Sequence, residues 1–286
     1  MKNNVPTTDR KVRTLYQHKL SSGFAIAIVL WLLPLIAVMM TSIRSMEDIN
    51  KGNYWGWPTD IQFIENYTQV FTATPMGQYL LNSLIITLPA VAGAVALSTL
   101  AGFALAKYNF KANIWIFAMF IAGNFVPFQI LMIPVRDLTI TFGLYDTHWA
   151  LIFFHVAFQA GFCTLFMRNF IVGIPNALIE AARVEGVSEM KIFWHVVLPL
   201  VRPALAALSV LVFTFIWNDF FWALVLVQSD EVRPVTAGLS SLKGQWLAAW
   251  QFMSAGAIVA AIPPVVLFFT MQRHFIAGLT LGATKG

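Results

Sequence analysis

The sequence predicts an all-α membrane protein with six transmembrane helices, and three observations support that prediction. Of its 286 residues, 58% are hydrophobic and only 11% are charged, whereas a soluble domain has about 25% charged residues. The mean hydropathy is +0.72. The charges leave six long stretches that are almost free of charge, each near the ~20 residues of a helix that crosses a bilayer. A soluble chain with so few charges could not cover its surface, and a disordered chain would be less apolar.

The nearly uncharged stretches place the spans in order along the chain. The first lies between Lys19 and Arg44; it is too long for a signal peptide and has no clear cleavage site, so we expect it to be retained. The fifth contains Asp219, the only acid within a predicted span. The predicted spans cover residues 22–42, 82–106, 113–134, 147–167, 204–227 and 252–272.

The basic residues predict the orientation. An even number of spans puts both ends on one side, and most lysines and arginines fall on that side. The basic residues expected on the other side are Arg44, Lys51, Arg136, Arg233 and Lys243. The positive-inside rule therefore favours an N-in, C-in arrangement. We expect a cytoplasmic N-terminal segment at 1–21, a transmembrane domain at 22–272 and a cytoplasmic tail at 273–286.

Several functions are disfavoured by what the sequence lacks. Cys163 is the single cysteine, so a disulfide framework and a cysteine-based metal site are excluded. A net charge of +5 is small and does not indicate nucleic-acid binding. The sequence contains no G-x-x-x-x-G-K-[ST] phosphate-binding loop. Histidines and acids do not cluster at membrane depth, so we predict no catalytic residue and no metal site, and a membrane-embedded enzyme has no support.

The inner segment 168–203 predicts two short helices separated by a glycine. Pro175 and Asn176 are helix-start signals, and Gly186 suits the position after a helix because it can take a positive φ. Ser188 can cap the second helix, and Pro199 ends it. On physical grounds alone, an amphipathic segment on the lipid surface remains an alternative.

The residues of this segment resemble the signature loop of ABC importer permeases. The pattern of that loop is EAA, three residues, Gly, nine residues, Ile, one residue and Leu-Pro. Every fixed position matches except that Val196 replaces Ile, and Glu185 stands where many members have Asp. The matching residues and the two charged residues beside them are Glu180, Ala181, Ala182, Arg183, Glu185, Gly186, Leu198 and Pro199.

The resemblance extends over almost the whole chain and points to the carbohydrate-uptake branch of these permeases. The strings NYTQVF, Asn82-Ser83, WNDFFWAL and FIAGLTLGATKG are most similar to the second, smaller membrane subunit of maltose-type importers. The resemblance implies a type I-like permease fold and a multi-pass location in the bacterial inner membrane. The eight residues of the loop would couple the permease to an ATPase, with Glu180 paired to a basic residue of that partner.

The same resemblance implies the partners. They are a second homologous permease, two ATPase subunits and an extracytoplasmic sugar-binding protein, with membrane lipid around the spans. The chain would then be a transport subunit and not an enzyme. It would bind no cofactor itself, and ATP and Mg²⁺ would be used by the partner ATPase.

Polar residues within the spans are candidates for a substrate path. Asn124, His155 and Gln159 lie near the middle of the membrane by their positions in spans 3 and 4, at depths of about 12–18 Å. His155 and Gln159 are four residues apart and share a helix face. They could offer hydrogen bonds to a sugar, or they could join helices by hydrogen bonds.

Asn218 and Asp219 lie nearer the outer surface in span 5, about 22 Å along the helix for Asp219. Asp219 could bind substrate near an outer gate, or it could anchor span 5 to a neighbouring base. A stripe of small residues in span 2 (Ala90, Ala94, Ser98, Gly102 and Ala106) permits close helix packing, either on a partner permease or within the subunit.

The last open alternative is an ion-coupled secondary carrier of sugars. Such carriers usually build their coupling site from charges inside the membrane. Only Asp219 qualifies, and it lies away from the midplane. The sequence does not identify the sugar.

Overall fold

The computed structural model describes the backbone of residues 7–240 and 249–283, and the side chains of residues 23–240 and 249–272. The predicted cytoplasmic ends are therefore only partly covered. Residues 1–6, 241–248 and 284–286 lie outside the described residues. Within the described ranges the chain is helical and forms no strand, only an isolated bridge between Arg44 and Ile61. This confirms the all-α class.

The helices fall into two compact units. The first contains the start of α14 up to Ile258 and three helices: α1 (Thr7–Ser42), α2 (Met46–Asn50) and α3 (Phe63–Thr72). The second contains the rest of α14 (Trp250–Ala283) and the other helices. These are α4 (Met76–Lys107), α5 (Asn113–Gly123), α6 (Met132–Thr141), α7 (His148–Val172), α8 (Asn176–Val184), α9 (Glu189–Ile192), α10 (Leu198–Leu200), α11 (Arg202–Trp217), α12 (Phe221–Leu226) and α13 (Val235–Leu239).

Four segments of the described residues are long and apolar enough to cross a membrane alone: Gly23–Ser42, Met76–Lys107, His148–Val172 and Trp250–Gln272. Two bent helix pairs can each add one span, which gives up to six. Length and composition alone decide this count, so six spans and the N-in, C-in orientation stay predictions.

The third predicted span is not one straight helix. Asn113–Gly123 and Phe128–Thr141 meet at an angle of 92°, where the sequence predicted a continuous helix over 113–134. Pro127 is the physical reason, because proline cannot donate a backbone hydrogen bond and disfavours helical backbone at the residue before it. The helical structure then continues seven residues past the predicted end, to Thr141.

The fifth predicted span is also broken. α11 ends at Trp217 and the separate α12 begins at Phe221, where the sequence predicted one helix over 204–227. Before α11, the segment Glu189–Leu200 meets Arg202–Trp217 at 77°. Pro203 contributes to that break because it cannot donate an N–H to the preceding turn.

In the sixth span, α14 continues through Pro263 and Pro264. A proline leaves the carbonyl four residues earlier without its helical donor. For Pro264 that carbonyl belongs to Ala260, and the indole N–H of Trp217 donates to it at 3.0 Å. A side chain of α11 thus replaces the hydrogen bond that α14 cannot make for itself.

The central contact of the second unit is the crossing of α4 and α7, and the stripe of small residues mediates it. Ala90, Ala94, Ser98 and Gly102 are buried, and the hydroxyl of Ser98 donates to the carbonyl of Ala160 in α7 at 3.3 Å. A Cβ added at Gly102 would stand 2.9 Å from the backbone nitrogen of Arg168. The stripe therefore packs within this subunit.

The segment 43–81, on the predicted outer side, contains two short helices, α2 and α3, before α4 begins at Met76. Ser45 caps α2 by accepting the N–H of Asp48 at 3.2 Å. Arg44 is fully buried and donates to the carbonyls of Tyr54 and Gly56. The carboxylate of Asp48 accepts both the N–H and the hydroxyl of Thr59. These bonds order the chain between α2 and α3.

Candidate functional site

The inner loop, residues 168–203, forms a helix–glycine–helix element. α8 ends at Val184, and Gly186 follows with a φ of +76°. The N–H groups of Gly186 and Val187 return to the carbonyls of Arg183 and Ala182, both at 3.0 Å. The left-handed glycine lets these bonds close the helix end, and α9 then starts at Glu189 in a new direction.

The inner loop is held to the end of α4 by polar contacts. The ammonium of Lys107 donates to the carbonyl of Ile174 at 2.6 Å and to the side-chain oxygen of Asn176 at 2.8 Å. Because both acceptors lie at the start of α8, the last lysine of α4 fixes where that helix begins.

An ion pair joins the two short helices. The guanidinium of Arg183 donates to both carboxylate oxygens of Glu189, at 2.6 and 3.2 Å. The hydroxyl of Tyr108 donates to Glu189 as well, and the guanidinium carbon of Arg183 stands 5.3 Å from the centre of the Tyr108 ring. Ser188 occupies the cap position of α9 but makes no side-chain cap bond, so the expected serine cap is absent.

One face of α8 remains free for a partner. Ile179 is buried and Ala182 packs against the core, whereas Glu180, Ala181 and Glu185 are exposed. Val184 is 89% exposed. Leu198 is half-buried and Pro199 is exposed. The signature residues thus divide into an inward set that holds the loop and an outward set that is accessible.

Among the intramembrane candidates, the structure brings His155 and Asp219 together. The imidazole Nε2 lies 3.6 Å from a carboxylate oxygen of Asp219, and the two side chains are 5% and 14% exposed. Asp219 also accepts the N–H groups of Trp222 and Ala223 in the first turn of α12, at 3.3 and 3.1 Å. Gln159 is buried one turn further along α7. Asp219 therefore caps α12 and lies beside His155 of α7.

Asn124 and Asn218 are placed differently. Each amide donates to the carbonyl four residues before it, Asn124 to Phe120 and Asn218 to Thr214, both at 2.8 Å. Both side chains are exposed. Asn124 lines a cavity of about 320 Å³ between α5 and α7 whose lining includes neither His155 nor Gln159. The five predicted residues thus do not form one site.

On the predicted outer side of the second unit, Asp146 bonds the chain that follows α12, a contact that was not predicted from the sequence. Asp146 has a φ of 58°, and its carboxylate accepts the N–H groups of Gln228 and Ser229 at 2.8 and 2.9 Å. Partial burial raises the pKa of this carboxyl, but the hydrogen bonds from Ser229 and Gln228 outweigh it and leave the pKa below its usual value.

The start of α4 also bonds the chain that follows α12, at residues 231–235. The amide of Asn82 donates to the carbonyls of Glu231 and Arg233, and its oxygen contacts the ring of His148 at 2.9 Å. The hydroxyl of Ser83 accepts the N–H of Val235 at 2.8 Å. The Asn82-Ser83 pair, noted only as part of a resemblance, thus positions the segment before α13.

A signal for the pairing of His155 and Asp219 was present in the sequence. His155 is about 12 Å from the outer end of its span and Asp219 about 22 Å from the inner end of the next span. Across ~30 Å of hydrocarbon the two depths differ by only about 4 Å, so a histidine near the midplane and an acid nearer the outer surface are within side-chain reach of each other. No comparable signal exists for Trp217, Lys107 or Asp146, because each of them bonds at least one backbone group.

These features define a class: a helical, multi-pass membrane subunit with an anchored helix pair at one end and no metal-binding cluster among its described residues. The chain belongs to the family described as binding-protein-dependent transport system inner membrane components, whose sequence pattern matches residues 94–280. The chain is therefore an inner-membrane permease of an import system that depends on a binding protein. This assignment favours an importer over the alternative of an ion-coupled secondary carrier.

Relatives along the whole chain support the assignment. An osmoprotective compounds uptake permease protein, GgtD, from Synechocystis sp. is 34% identical, covering 99% of this chain and 97% of the relative. An arabinooligosaccharides transport system permease protein, AraQ, from Halalkalibacterium halodurans is 32% identical and covers 97% and 99%.

A solved structure shows the same fold. It is a chain of a bacterial ABC transporter involved in the import of the acidic polysaccharide alginate, with a TM-score of 0.77 and 23% identity, covering 96% of this chain and 100% of that chain. The predicted fold of an ABC importer permease is thereby confirmed.

Proposed function

We propose that this chain imports a sugar or glycoside as one permease subunit of a binding-protein-dependent ABC importer. The observation that carries the substrate class is its similarity, over nearly its full length, to a permease named for arabinooligosaccharides. The alginate transporter with the same fold handles another carbohydrate. The partners would be an extracytoplasmic sugar-binding protein, a second homologous permease and two ATPase subunits.

The inner loop is the proposed coupling element. Its position is fixed from within by Lys107 and by the pair of Arg183 and Glu189, while Glu180 and Val184 face outward. A rigid element with an exposed charged and apolar face suits transmission of a partner's motion to the spans. Glu180, Ala181 and Glu185 would contact the ATPase, and Ala182, Arg183, Gly186, Leu198 and Pro199 would hold the loop in shape.

Hydrolysis is assigned to that partner. The sequence has no phosphate-binding loop, so ATP and Mg²⁺ would be used by the ATPase subunits, and this chain would bind no cofactor. Closure of the ATPase pair would move the inner loop and switch the spans between inward-open and outward-open states.

For the intramembrane residues we propose two roles. His155, Gln159 and Asp219 are buried or nearly so, and Asp219 already accepts two backbone N–H groups, so these three act as anchors between helices. The exposed amides of Asn124 and Asn218 are the better candidates for the substrate path, since only accessible donors can bind a passing sugar.

The coupling role is tested by Glu180→Lys. We expect this variant to lose uptake and to weaken ATPase co-purification by about 2 kcal/mol or more, which is roughly thirtyfold. The measurements are sugar uptake in cells, the ATPase recovered with the tagged permease, and the amount of permease in the membrane, which should be unchanged.

Glu65→Lys provides the matched control, because Glu65 is exposed on α3 in the predicted outer segment and undergoes the same change of charge. It should leave uptake and ATPase recovery at the level of the unmodified chain. Normal uptake by the Glu180→Lys variant would refute the coupling role.

A further inference from the structure

A cavity of about 450 Å³ lies at the inner end of α4, α5 and α7, beside the start of the inner loop. Three cations line it: Lys107 at the end of α4, Lys111 from the connection between α4 and α5, and Arg168 from α7. Among the residues that the structure describes, no carboxylate belongs to its lining. A cavity with three positive charges and no acid attracts an anion, because the cations otherwise repel one another at short range.

One donor at this cavity, on Arg168, is unsatisfied. The Nε of Arg168 is buried without a hydrogen-bond partner, and its guanidinium stacks on the ring of Phe117 with the carbon 4.1 Å from the ring centre. Buried donors without a partner are rare in proteins. Lys107 is oriented by its bonds to Ile174 and Asn176, so its ammonium is held in place at the edge of the cavity.

Apolar surface continues from the cavity along α5. That helix has no buried residue, and Ile114, Trp115 and Met119 are all exposed. The cationic cavity lies at the N-terminal end of this apolar helix, which begins at Asn113. A molecule with an anionic head and long apolar tails would satisfy both surfaces at once.

We propose that this cavity binds the headgroup of an acidic phospholipid, with the phosphate between Lys107, Lys111 and Arg168 and the acyl chains along α5. The orientation predicted from the charges places it in the inner leaflet, and basic pockets between helices on that side are suited to acidic headgroups. A soluble phosphate would use the same three cations but would gain nothing from the exposed face of α5.

The position of the cavity gives the lipid a consequence for transport. Lys107 and Asn176 line the cavity and also bond each other to fix the start of α8. A bound phosphate would therefore rest against the anchor of the inner loop. Acidic lipid would then stabilise the loop in the position in which it meets its partner.

The test uses the intact transporter complex in nanodiscs of 30% phosphatidylglycerol and 70% phosphatidylcholine, followed by gentle extraction and native mass spectrometry. The unmodified complex should retain phosphatidylglycerol in preference to phosphatidylcholine. Lys111→Gln should reduce this retention about fivefold, and Lys111→Gln with Arg168→Gln should reduce it about 25-fold, from ~1 kcal/mol per cation.

Lys191→Gln is the matched control, since Lys191 is an exposed cation of the inner loop that does not line the cavity; its retention of phosphatidylglycerol should be unchanged. Lys111 is exposed, so the single variant keeps the test valid if the double variant does not fold. Equal retention by the Lys111→Gln and Lys191→Gln variants would overturn the proposal.

A second arm separates the two sources of phosphate. Inorganic phosphate at millimolar concentration is added to the complex before extraction. Persistent retention of phosphatidylglycerol supports a lipid site, whereas its complete displacement would assign the cavity to a soluble anion and refute the lipid. The readout of this experiment is lipid retention, whereas the coupling test at Glu180 measures uptake and ATPase recovery. A negative result for the lipid site would therefore leave the coupling role untouched.

Discussion

At the scale of single residues, the most informative contacts are those in which a side chain serves a backbone group. Trp217 supplies the hydrogen bond that Pro264 denies to Ala260, and Asp146 collects the N–H groups of Gln228 and Ser229. Such contacts matter within a membrane protein because a buried carbonyl without a donor costs about 1–3 kcal/mol. They also make sharp predictions for single substitutions.

Trp217→Phe should destabilise the protein by about 1–3 kcal/mol, because the Ala260 carbonyl loses its only side-chain donor among the residues that the structure describes. Pro264→Ala returns a backbone N–H that can bond this carbonyl, so Trp217→Phe should cost clearly less in a Pro264→Ala background. Thermal unfolding of the purified complex, measured for both single variants and the double variant, gives the coupling energy. Strict additivity of the two substitutions would contradict the replacement role of Trp217.

Asp146→Asn should weaken the outer junction, since the amide binds two N–H groups less strongly than the carboxylate does. The folded-state pKa of Asp146 is lowered, so its stabilisation is present above the unfolded pKa of about 3.9 and is lost as the pH falls through the folded value. The unmodified protein should therefore be more stable to heat than the Asp146→Asn variant at neutral pH, and this difference should shrink below about pH 4. If the difference did not change with pH, the charge of the Asp146 carboxylate would not be what strengthens the junction.

At the scale of helices, the crossing of α4 and α7 depends on missing side chains. Gly102→Ala would place a Cβ 2.9 Å from the backbone of Arg168 and 3.2 Å from the Cβ of Met167. Neither neighbour is the end of a flexible side chain, so the helices must separate. We expect a loss of about 1–3 kcal/mol, seen as a lower unfolding temperature of the purified complex.

Gly77→Ala in the same helix is the control, because an added Cβ there meets nothing within 4 Å. Alanine favours helix by up to about 1 kcal/mol over glycine, so this variant should be neutral or slightly more stable. If both substitutions behaved alike, close packing at Gly102 would not be what holds the two helices together.

At the scale of the whole molecule, the sequence predicted the all-α membrane class because hydrophobicity and the scarcity of charge report directly on the surrounding solvent. It also predicted a helix–glycine–helix inner loop, because Pro175 and Gly186 act locally. It predicted spans 3 and 5 as continuous because hydropathy does not register a bend at Pro127 or the gap between Trp217 and Phe221.

The candidate site was predicted less completely, for a related reason. Arg183 is bound by Glu189 across the glycine turn, and only the path of the chain after Gly186 decides this. The five polar residues of the spans were divided by depth, with Asn124, His155 and Gln159 near the midplane and Asn218 and Asp219 nearer the outer surface. The structure instead places His155 beside Asp219, and the amides of Asn124 and Asn218 bond carbonyls one turn before them.

The bend in the third span has a consequence for the backbone at the end of its first helix. The helix Asn113–Gly123 has 11 residues and reaches only about 16 Å, roughly half the hydrocarbon thickness. Its last carbonyls therefore end in the middle of the bilayer, and Phe125 beside them is 81% exposed. Lipid cannot hydrate such groups, but the N–H groups of Asn124, Phe125 and Val126 donate to them in the turn that follows. The chain therefore bends at this depth without presenting those carbonyls unpaired to its surroundings.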